Sequence, residues 1–152
     1  MSISNYMKRS VISIPETSTI RDAASILVKN HIGLLPIVDK DNKLVGVVGM
    51  RDLISLVMPD FVNFIIDVDF VHDFGAVETT RLPANVLNQS IQTLMKPAIS
   101  APENSGLLRA YSLMLQSNLH DVPVVSSNGT LLGIASRVDI GAGILSSWAR
   151  VD

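Results

Sequence analysis

Residues 11–53, VISIPETSTIRDAASILVKNHIGLLPIVDKDNKLVGVVGMRDL, recur as residues 98–140, AISAPENSGLLRAYSLMLQSNLHDVPVVSSNGTLLGIASRVDI, about 87 positions further along the chain. The copies align without a gap, and identical residues fall at matching positions, among them Pro36 and Pro123, Gly46 and Gly133, and Asp52 and Asp139. A repeat of this kind predicts two similar half-units, neither large enough to be stable alone. Two such units bury apolar surface best around a pseudo-twofold axis, and such an axis creates paired clefts between them.

The composition predicts a single domain that does not insert into a membrane. The chain has 152 residues, of which 47% are hydrophobic and 17% charged, and it has no cysteine. Polar residues interrupt every apolar stretch before it reaches the roughly 18–20 residues that a bilayer span needs. A net charge of −2 argues against a nucleic-acid partner, because nucleic acid selects basic surfaces. The absence of disulfides and thiolate sites is typical of a cytoplasmic protein, and we expect that location.

Each copy is predicted to contain a strand, a helix, two strands and a second helix. In the first copy Val11–Ile14 is rich in β-formers, and Thr19 has capping-box spacing to Asp22 before a helical apolar pattern. Leu34–Val38 and Leu44–Val48 are apolar runs joined by a polar turn, as in a hairpin. The second helix is expected over Arg51–Val57 in the first copy and over Ile140–Ala149 in the second. The fold class is therefore α/β (α+β), with two β-α-β-β-α units packed sheet to sheet.

Between the copies lies an insertion, residues 58–90, that contains all four phenylalanines of the chain. We expect it to be packed and partly helical, with a helix over Val86–Met95 that leads into the second copy and a shorter counterpart over Ile3–Met7. Within the insertion, three aspartates and a histidine lie close together in the sequence (Asp67, Asp69, His72, Asp73). Their oxygens and imidazole would suit a divalent metal, but no recognised ligand spacing is present. A half-exposed element is the simpler interpretation.

The pattern of strand, proline, capped helix, hairpin and a glycine-strand-aspartate ending resembles the cystathionine-β-synthase (CBS) domain. The two copies together resemble a tandem CBS pair, or Bateman module, with motif 1 at residues 7–57 and motif 2 at residues 91–147. The resemblance implies one module spanning residues 1–152 that binds adenine nucleotides or adenosyl compounds in two clefts between the motifs. It also implies dimers that use the helices as their contact surface.

The resemblance places specific residues in each cleft. Site one would combine the end of motif 2 with the first strands of motif 1 (Val11, Ile12, Ile32, Leu34, Pro36, Ser136, Arg137, Asp139). Site two would combine the reciprocal elements (Gly49, Arg51, Asp52, Ala98, Ile99, Leu119, Asp121, Pro123). An aspartate in the first turn of a helix can accept the hydroxyls of a ribose, as the acidic residue of dinucleotide folds does. Helix N-terminal amides favour a phosphate, and Arg137 and Arg51 are expected to neutralise its charge.

Two features leave alternatives open. Gly49 stands where the family has Ser or Thr, so site one, with Ser136, is expected to be the stronger nucleotide site. Ser136 and Asp139 also have plain capping-box spacing, which explains them without a ligand. His31 and His120 fall near the predicted clefts at different positions of the repeat, and we expect both to be partly buried structural histidines.

The function predicted from these observations is regulatory, and the chain is not expected to be an enzyme. It has no cysteine nucleophile, GxSxG turn or phosphate-binding GxxxxGK loop. We expect a sensor that binds AMP, ADP, ATP, NAD or an S-adenosyl compound without an obligatory cofactor, forms a homodimer and signals to a regulated protein. A ligand-free homodimeric scaffold is the main alternative. A regulator that responds to a divalent metal through the insertion is the weaker one.

Overall fold

The computed structural model describes residues 1–58 and 81–149. Six strands form two three-stranded sheets: β1 (Ile14–Pro15), β2 (Leu34–Val38) and β3 (Leu44–Gly49), then β4 (Ala101–Pro102), β5 (Asp121–Val125) and β6 (Leu131–Ser136). The helices are α1 (Ile20–Asn30), α2 (Met50–Ile54), α3 (Ala84–Leu87), α4 (Leu107–Gln116) and α5 (Arg137–Ser146). Short 3₁₀ helices occupy Ile3–Asn5 and Ile91–Thr93. The predicted fold class, two related units of mixed helix and sheet, is confirmed.

The two sheets have the same order and register. β1 pairs parallel to β2, which pairs antiparallel to β3, and β4, β5 and β6 repeat this arrangement. The predicted β2 is correct to the residue, and the capping box of α1 is present, with Thr19 and Asp22 bonding each other's backbone N–H. The first strand differs from its prediction because Pro15 lies inside β1. A proline is tolerated there since β1 is the edge of its sheet.

Each unit has its own core between its sheet and its helices. Ile14, Leu27 and Leu35 belong to the core of unit one, while Met114, Val122 and Ile140 belong to that of unit two. The two hairpin turns join the units through reciprocal hydrogen bonds. The Leu44 N–H donates to the Gly129 carbonyl at 3.0 Å, and the Leu131 N–H donates to the Asn42 carbonyl at 3.0 Å.

The segment that precedes each unit packs into the other unit. Ile3 and Met7 are buried in the core of unit two, whereas Ile91 is buried in the core of unit one. The exchange is symmetric in its hydrogen bonds: the Ile3 N–H donates to Ser105 O at 2.8 Å, and the Ile91 N–H donates to Ser18 O at 2.8 Å. We call residues 2–8 and 90–96 the lead-in segments. The core of each unit is therefore completed by the lead-in segment that precedes the other unit.

The second lead-in segment explains why the predicted helix over Val86–Met95 is wrong. The helical turns end at Leu87 and resume as a 3₁₀ helix at Ile91. Between them Gln89 O accepts from the Ile20 N–H at 3.0 Å, and the Ile91 N–H reaches Ser18 O. Bonds to unit one thus replace the helical hydrogen bonds.

Within the described residues no helix is long and apolar enough to cross a membrane.

Two glycines make room for the lead-in segments. A Cβ on Gly133 would stand 2.5 Å from the Met7 sulfur and 2.8 Å from Lys8 O, and a Cβ on Gly46 would stand 2.9 Å from Lys96 O. The backbone of Lys8 pairs with Ile134 next to Gly133, through N···O distances of 2.8 and 3.0 Å. A methyl group at either glycine would force this backbone away.

We therefore predict that Gly133→Ala lowers the free energy of unfolding by about 1–3 kcal/mol, the usual cost of overpacking a close contact. Urea unfolding measures the change. Gly33→Ala is the matched control, because a Cβ at Gly33 would meet nothing within 4 Å. Equal effects of the two substitutions would contradict the role assigned to Gly133.

Candidate functional site

Two clefts lie between the units and meet at their pseudo-twofold axis. Cleft one has a volume of ≈ 360 Å³ and cleft two ≈ 630 Å³. Gly33, Leu34 and Asp121 line both of them. Leu34 and Asp121 are matching residues of the repeat, each at the start of a middle strand. The clefts therefore have related walls, but an acidic side chain stands on one side of the axis and leucine on the other.

Cleft one contains some of the residues predicted for site one. Ile12, Ile32 and Leu34 line it, together with five residues that the prediction did not include and one that it assigned to site two (Lys8, Ser10, His31, Gly33, Ile134; Asp121). Val11, Pro36, Ser136, Arg137 and Asp139 are not part of this lining. Pro36 is buried within β2. The apolar residues of motif 1 thus line the cleft as predicted for Ile12, Ile32 and Leu34. Lys8 lines it as well, whereas Ser136, Arg137 and Asp139 of motif 2 do not.

Ser136 and Asp139 form the N-terminal cap of α5. The Ser136 N–H donates to Asp139 Oδ2 at 2.9 Å, and Ser136 Oγ accepts from the Asp139 N–H at 3.0 Å. The Lys8 ammonium lies 3.5 Å from Asp139 Oδ2, and the Asp139 side chain is only 19% exposed. Since Lys8 itself lines cleft one, the carboxylate contacts the cleft wall through this lysine.

Cleft two contains more of its predicted residues. Gly49, Arg51, Asp52, Leu119 and Asp121 line it, whereas the remaining predicted residues, Ala98, Ile99 and Pro123, do not. The Gly49 N–H donates to Asp52 Oδ2 at 2.7 Å, but Gly49 has no hydroxyl to return the bond. Lys96 lies 3.5 Å from Asp52 Oδ1, which repeats the pair made by Lys8 and Asp139.

Arg137 has a different environment from the one expected for a phosphate ligand. Its Nε donates to Leu119 O at 2.6 Å and its Nη2 approaches Met114 O at 3.5 Å. These carbonyls lie at and just beyond the C-terminal end of α4, where a positive charge is favourable. The guanidinium therefore connects α5 to the C-terminal end of α4. Among the residues that line cleft one, the positive charge comes from Lys8 and not from Arg137.

The two lysines are the charged residues among the cleft-lining positions that sequence reasoning missed. The sequence carries Met-Lys at residues 7–8 and again at 95–96, a displacement one residue longer than that of the main repeat. An ungapped alignment of the copies therefore places Lys8 opposite Met95.

The prediction that both histidines are partly buried was wrong. His31 is exposed and lines cleft one, and His120 is exposed and lines cleft two.

A metal site receives no support from the described part of the chain. Within residues 1–58 and 81–149 no group of three or more His, Asp or Glu side chains is arranged to hold a metal ion. The insertion side chains Asp67, Asp69, His72 and Asp73 lie outside the described residues.

Burial raises the pKa of Asp121 above its ordinary value of 3.8. The Lys8 ammonium and His120 oppose this shift, while the Asp139 carboxylate adds to it. A raised pKa means that the folded state holds a proton at pH values where the unfolded chain has lost it. The ionised Asp121 therefore costs stability, and the free energy of unfolding falls as pH rises through the raised pKa.

We predict that Asp121→Asn stabilises the protein near neutral pH and has less effect near pH 4. Urea unfolding at several pH values between 4 and 8 measures the difference between variant and wild type, which should grow with pH and then level off. Asp41→Asn, the same change at an exposed turn residue, is the control. A difference that is constant from pH 4 to 8 would contradict the burial of Asp121 charge.

Comparison with known proteins agrees with the geometry. The family model described as "CBS domain" matches residues 3–59 and 91–144, which include all but the first residue of each lead-in segment. The chain is 31% identical over 137 residues to CBS domain-containing protein CBSX1, chloroplastic, of Arabidopsis thaliana, covering 84% of this chain and 56% of that protein. The chain thus spans little more than half the length of that relative.

Two solved structures illustrate the match in fold. The CBS domain protein PAE2072 from Pyrobaculum aerophilum, complexed with AMP, has a TM-score of 0.67 and 27% identity, with 91% of this chain and 89% of that chain covered. The CBS domain pair of protein MJ0100, in complex with 5-methylthioadenosine and S-adenosyl-L-methionine, has a TM-score of 0.68 and 23% identity, covering 97% and 98%. With a family match over more than half its length and this arrangement of two units, the chain belongs to the CBS-domain family as a tandem pair.

Proposed function

We propose that this protein is a non-catalytic, cytoplasmic sensor that binds an adenine nucleotide or adenosyl compound in the clefts between its two CBS motifs. The observation that carries the proposal is the carboxylate held at the first turn of a helix beside each cleft, Asp139 at cleft one and Asp52 at cleft two. Structures in the family contain AMP or S-adenosyl-L-methionine, which supports the ligand class.

The side chains around cleft one suit the parts of such a ligand. Asp139 is fixed by its bond to the Ser136 N–H, so one carboxylate oxygen remains available to ribose hydroxyls. The N-terminal amides of the ten-residue α5 favour a phosphate. Ile12, Ile32 and Leu34 form an apolar wall that can pack against a flat base.

Cleft two presents the same plan with different polar groups. It lacks a hydroxyl at Gly49, but Arg51 and Lys96 supply two cations and its volume is larger. We therefore include both clefts in the proposal. The expectation that cleft one binds more tightly rests on Ser136 alone.

Signalling requires that the ligand distinguish two arrangements of the units. A molecule that touches both walls of a cleft favours whichever arrangement brings those walls together. It can shift that equilibrium only by the difference between its affinities for the two arrangements. The lead-in segments connect each wall to the opposite unit, so they are the elements through which we expect occupancy to reach a regulated protein.

Exposed apolar side chains on the helices and just beyond α5 favour a homodimer, with or without ligand. Val28, Leu115, Val138 and Trp148 are between 55% and 77% exposed. Exposed apolar side chains mark a protein interface where they form a continuous patch. Light scattering measures the oligomeric state, and a monomer at micromolar concentration would contradict the homodimer.

The ligand-free scaffold remains the competing function, and a thermal-shift panel separates it from the sensor. A ligand at 100 times its dissociation constant adds about 2.7 kcal/mol to the free energy of unfolding. We expect a shift with at least one of AMP, ADP, ATP, NAD or S-adenosylmethionine. No shift with any of them would favour the scaffold.

We predict that Asp139→Ala and Asp52→Ala each weaken binding at one cleft by about 10- to 150-fold, because a lost charge-assisted bond to the ribose costs about 1.5–3 kcal/mol. Isothermal titration with AMP measures this loss. Asp22→Ala is the matched control, because Asp22 caps α1 with the same geometry and lines neither cleft. AMP binding that is unchanged in both cleft variants would rule out the assignment.

A further inference from the structure

The same ion pair is present once at each cleft, between an exposed lysine and a largely buried aspartate. Lys8 Nζ lies 3.5 Å from Asp139 Oδ2, and Lys96 Nζ lies 3.5 Å from Asp52 Oδ1. Both lysine side chains are 66% exposed, whereas the carboxylates are 19% and 16% exposed. Exposed pairs of this kind contribute little to stability. A repeated pair of low structural value, located at two proposed ligand sites, points to a role in binding.

The backbone places each ammonium at its cleft and leaves the side chain free to move. Lys8 exchanges two hydrogen bonds with Ile134 in β6, and Lys96 exchanges two with Val47 in β3 at 2.9 and 3.0 Å. The methionines that precede the lysines are seated against Gly133 and Gly46. The lysine Cα is thus fixed, while its long side chain can turn from the carboxylate to other groups within reach of the cleft.

The distribution of charge around cleft one favours a movement of the lysine side chain when an anionic ligand binds. In cleft one the lining carries a single lysine, Lys8, and the carboxylate of Asp121, with Asp139 directly behind the lysine. A phosphate would add negative charge beside these two acids. A ribose would at the same time share the Asp139 carboxylate with Lys8, and in cleft two it would need Asp52 Oδ1, the oxygen that faces Lys96. The ammonium would then lose its partner as a new anion arrives.

We propose that Lys8 and Lys96 exchange partners on binding: each leaves its aspartate to the ribose hydroxyls and pairs with the phosphate of the nucleotide, which makes the clefts select nucleotides over nucleosides. The inference rests on the proposed function and adds the discriminating group to it. Since a lysine acts on phosphate as a mobile point charge, its contribution depends on charge and reach rather than on a fixed hydrogen-bond geometry.

The test compares AMP with adenosine by isothermal titration on wild type and on Lys8→Met/Lys96→Met. The wild type is expected to bind AMP more tightly than adenosine. In the double variant AMP affinity should fall about tenfold, because a charge-assisted contact is lost. Adenosine affinity should stay within about twofold or improve, because no ammonium competes for the carboxylate. The single variants assign the effect to cleft one or cleft two.

Two further variants separate this role from general charge and from folding. Lys29→Met/Lys40→Met removes the same charge at exposed positions outside both clefts and should leave AMP binding unchanged. Lys8→Arg/Lys96→Arg should retain the preference for AMP. Equal losses of AMP and adenosine, or no loss of either, would overturn the exchange while the proposed function stands. Failure of wild type to bind either compound would overturn both.

Discussion

The exchange of lead-in segments is the constraint on which the rest of this structure depends. Each three-stranded sheet with its helices is too small to be stable alone, and each core is completed by apolar residues that precede the other copy, Ile3 and Met7 in one case and Ile91 in the other. The glycines at matching positions of β3 and β6 admit these segments against the sheet. The two units are therefore interlocked, because each contains a segment that precedes the other in the sequence.

Interlocking also determines the chemistry of the clefts. Because the lead-in backbones run along β3 and β6, their lysines arrive beside the capping aspartates of α2 and α5. Cleft one thus has groups from both units around it: an apolar wall from unit one, the Lys8 ammonium of the first lead-in segment, and the Asp139 carboxylate of unit two in contact with that ammonium. A ligand that touches all three is sensitive to the relative position of the units, which is the physical requirement for a sensor.

The sequence predicted some local structure correctly but did not predict the exchange of lead-in segments. Strand Leu34–Val38 and the cap at Thr19 follow from short-range patterns of apolar and capping residues, so they could be found without coordinates. The position of Lys8 depends on contacts with Ile134, far away in the chain, and its displacement from Lys96 differs by one residue from that of the repeat. The bond from Arg137 to the Leu119 carbonyl, just beyond α4, is likewise a tertiary contact that short-range patterns do not show.

Hydrogen exchange on the full chain tests the interlocking most directly. Met7→Ala removes a side chain that is only 8% exposed in the core of unit two, although Met7 precedes unit one in the sequence. The account predicts faster amide exchange in β5, β6 and α5, with β2 and β3 of unit one close to their wild-type protection. Loss of protection confined to residues 14–54, with β6 unaffected, would contradict the exchange of lead-in segments and the clefts that follow from it.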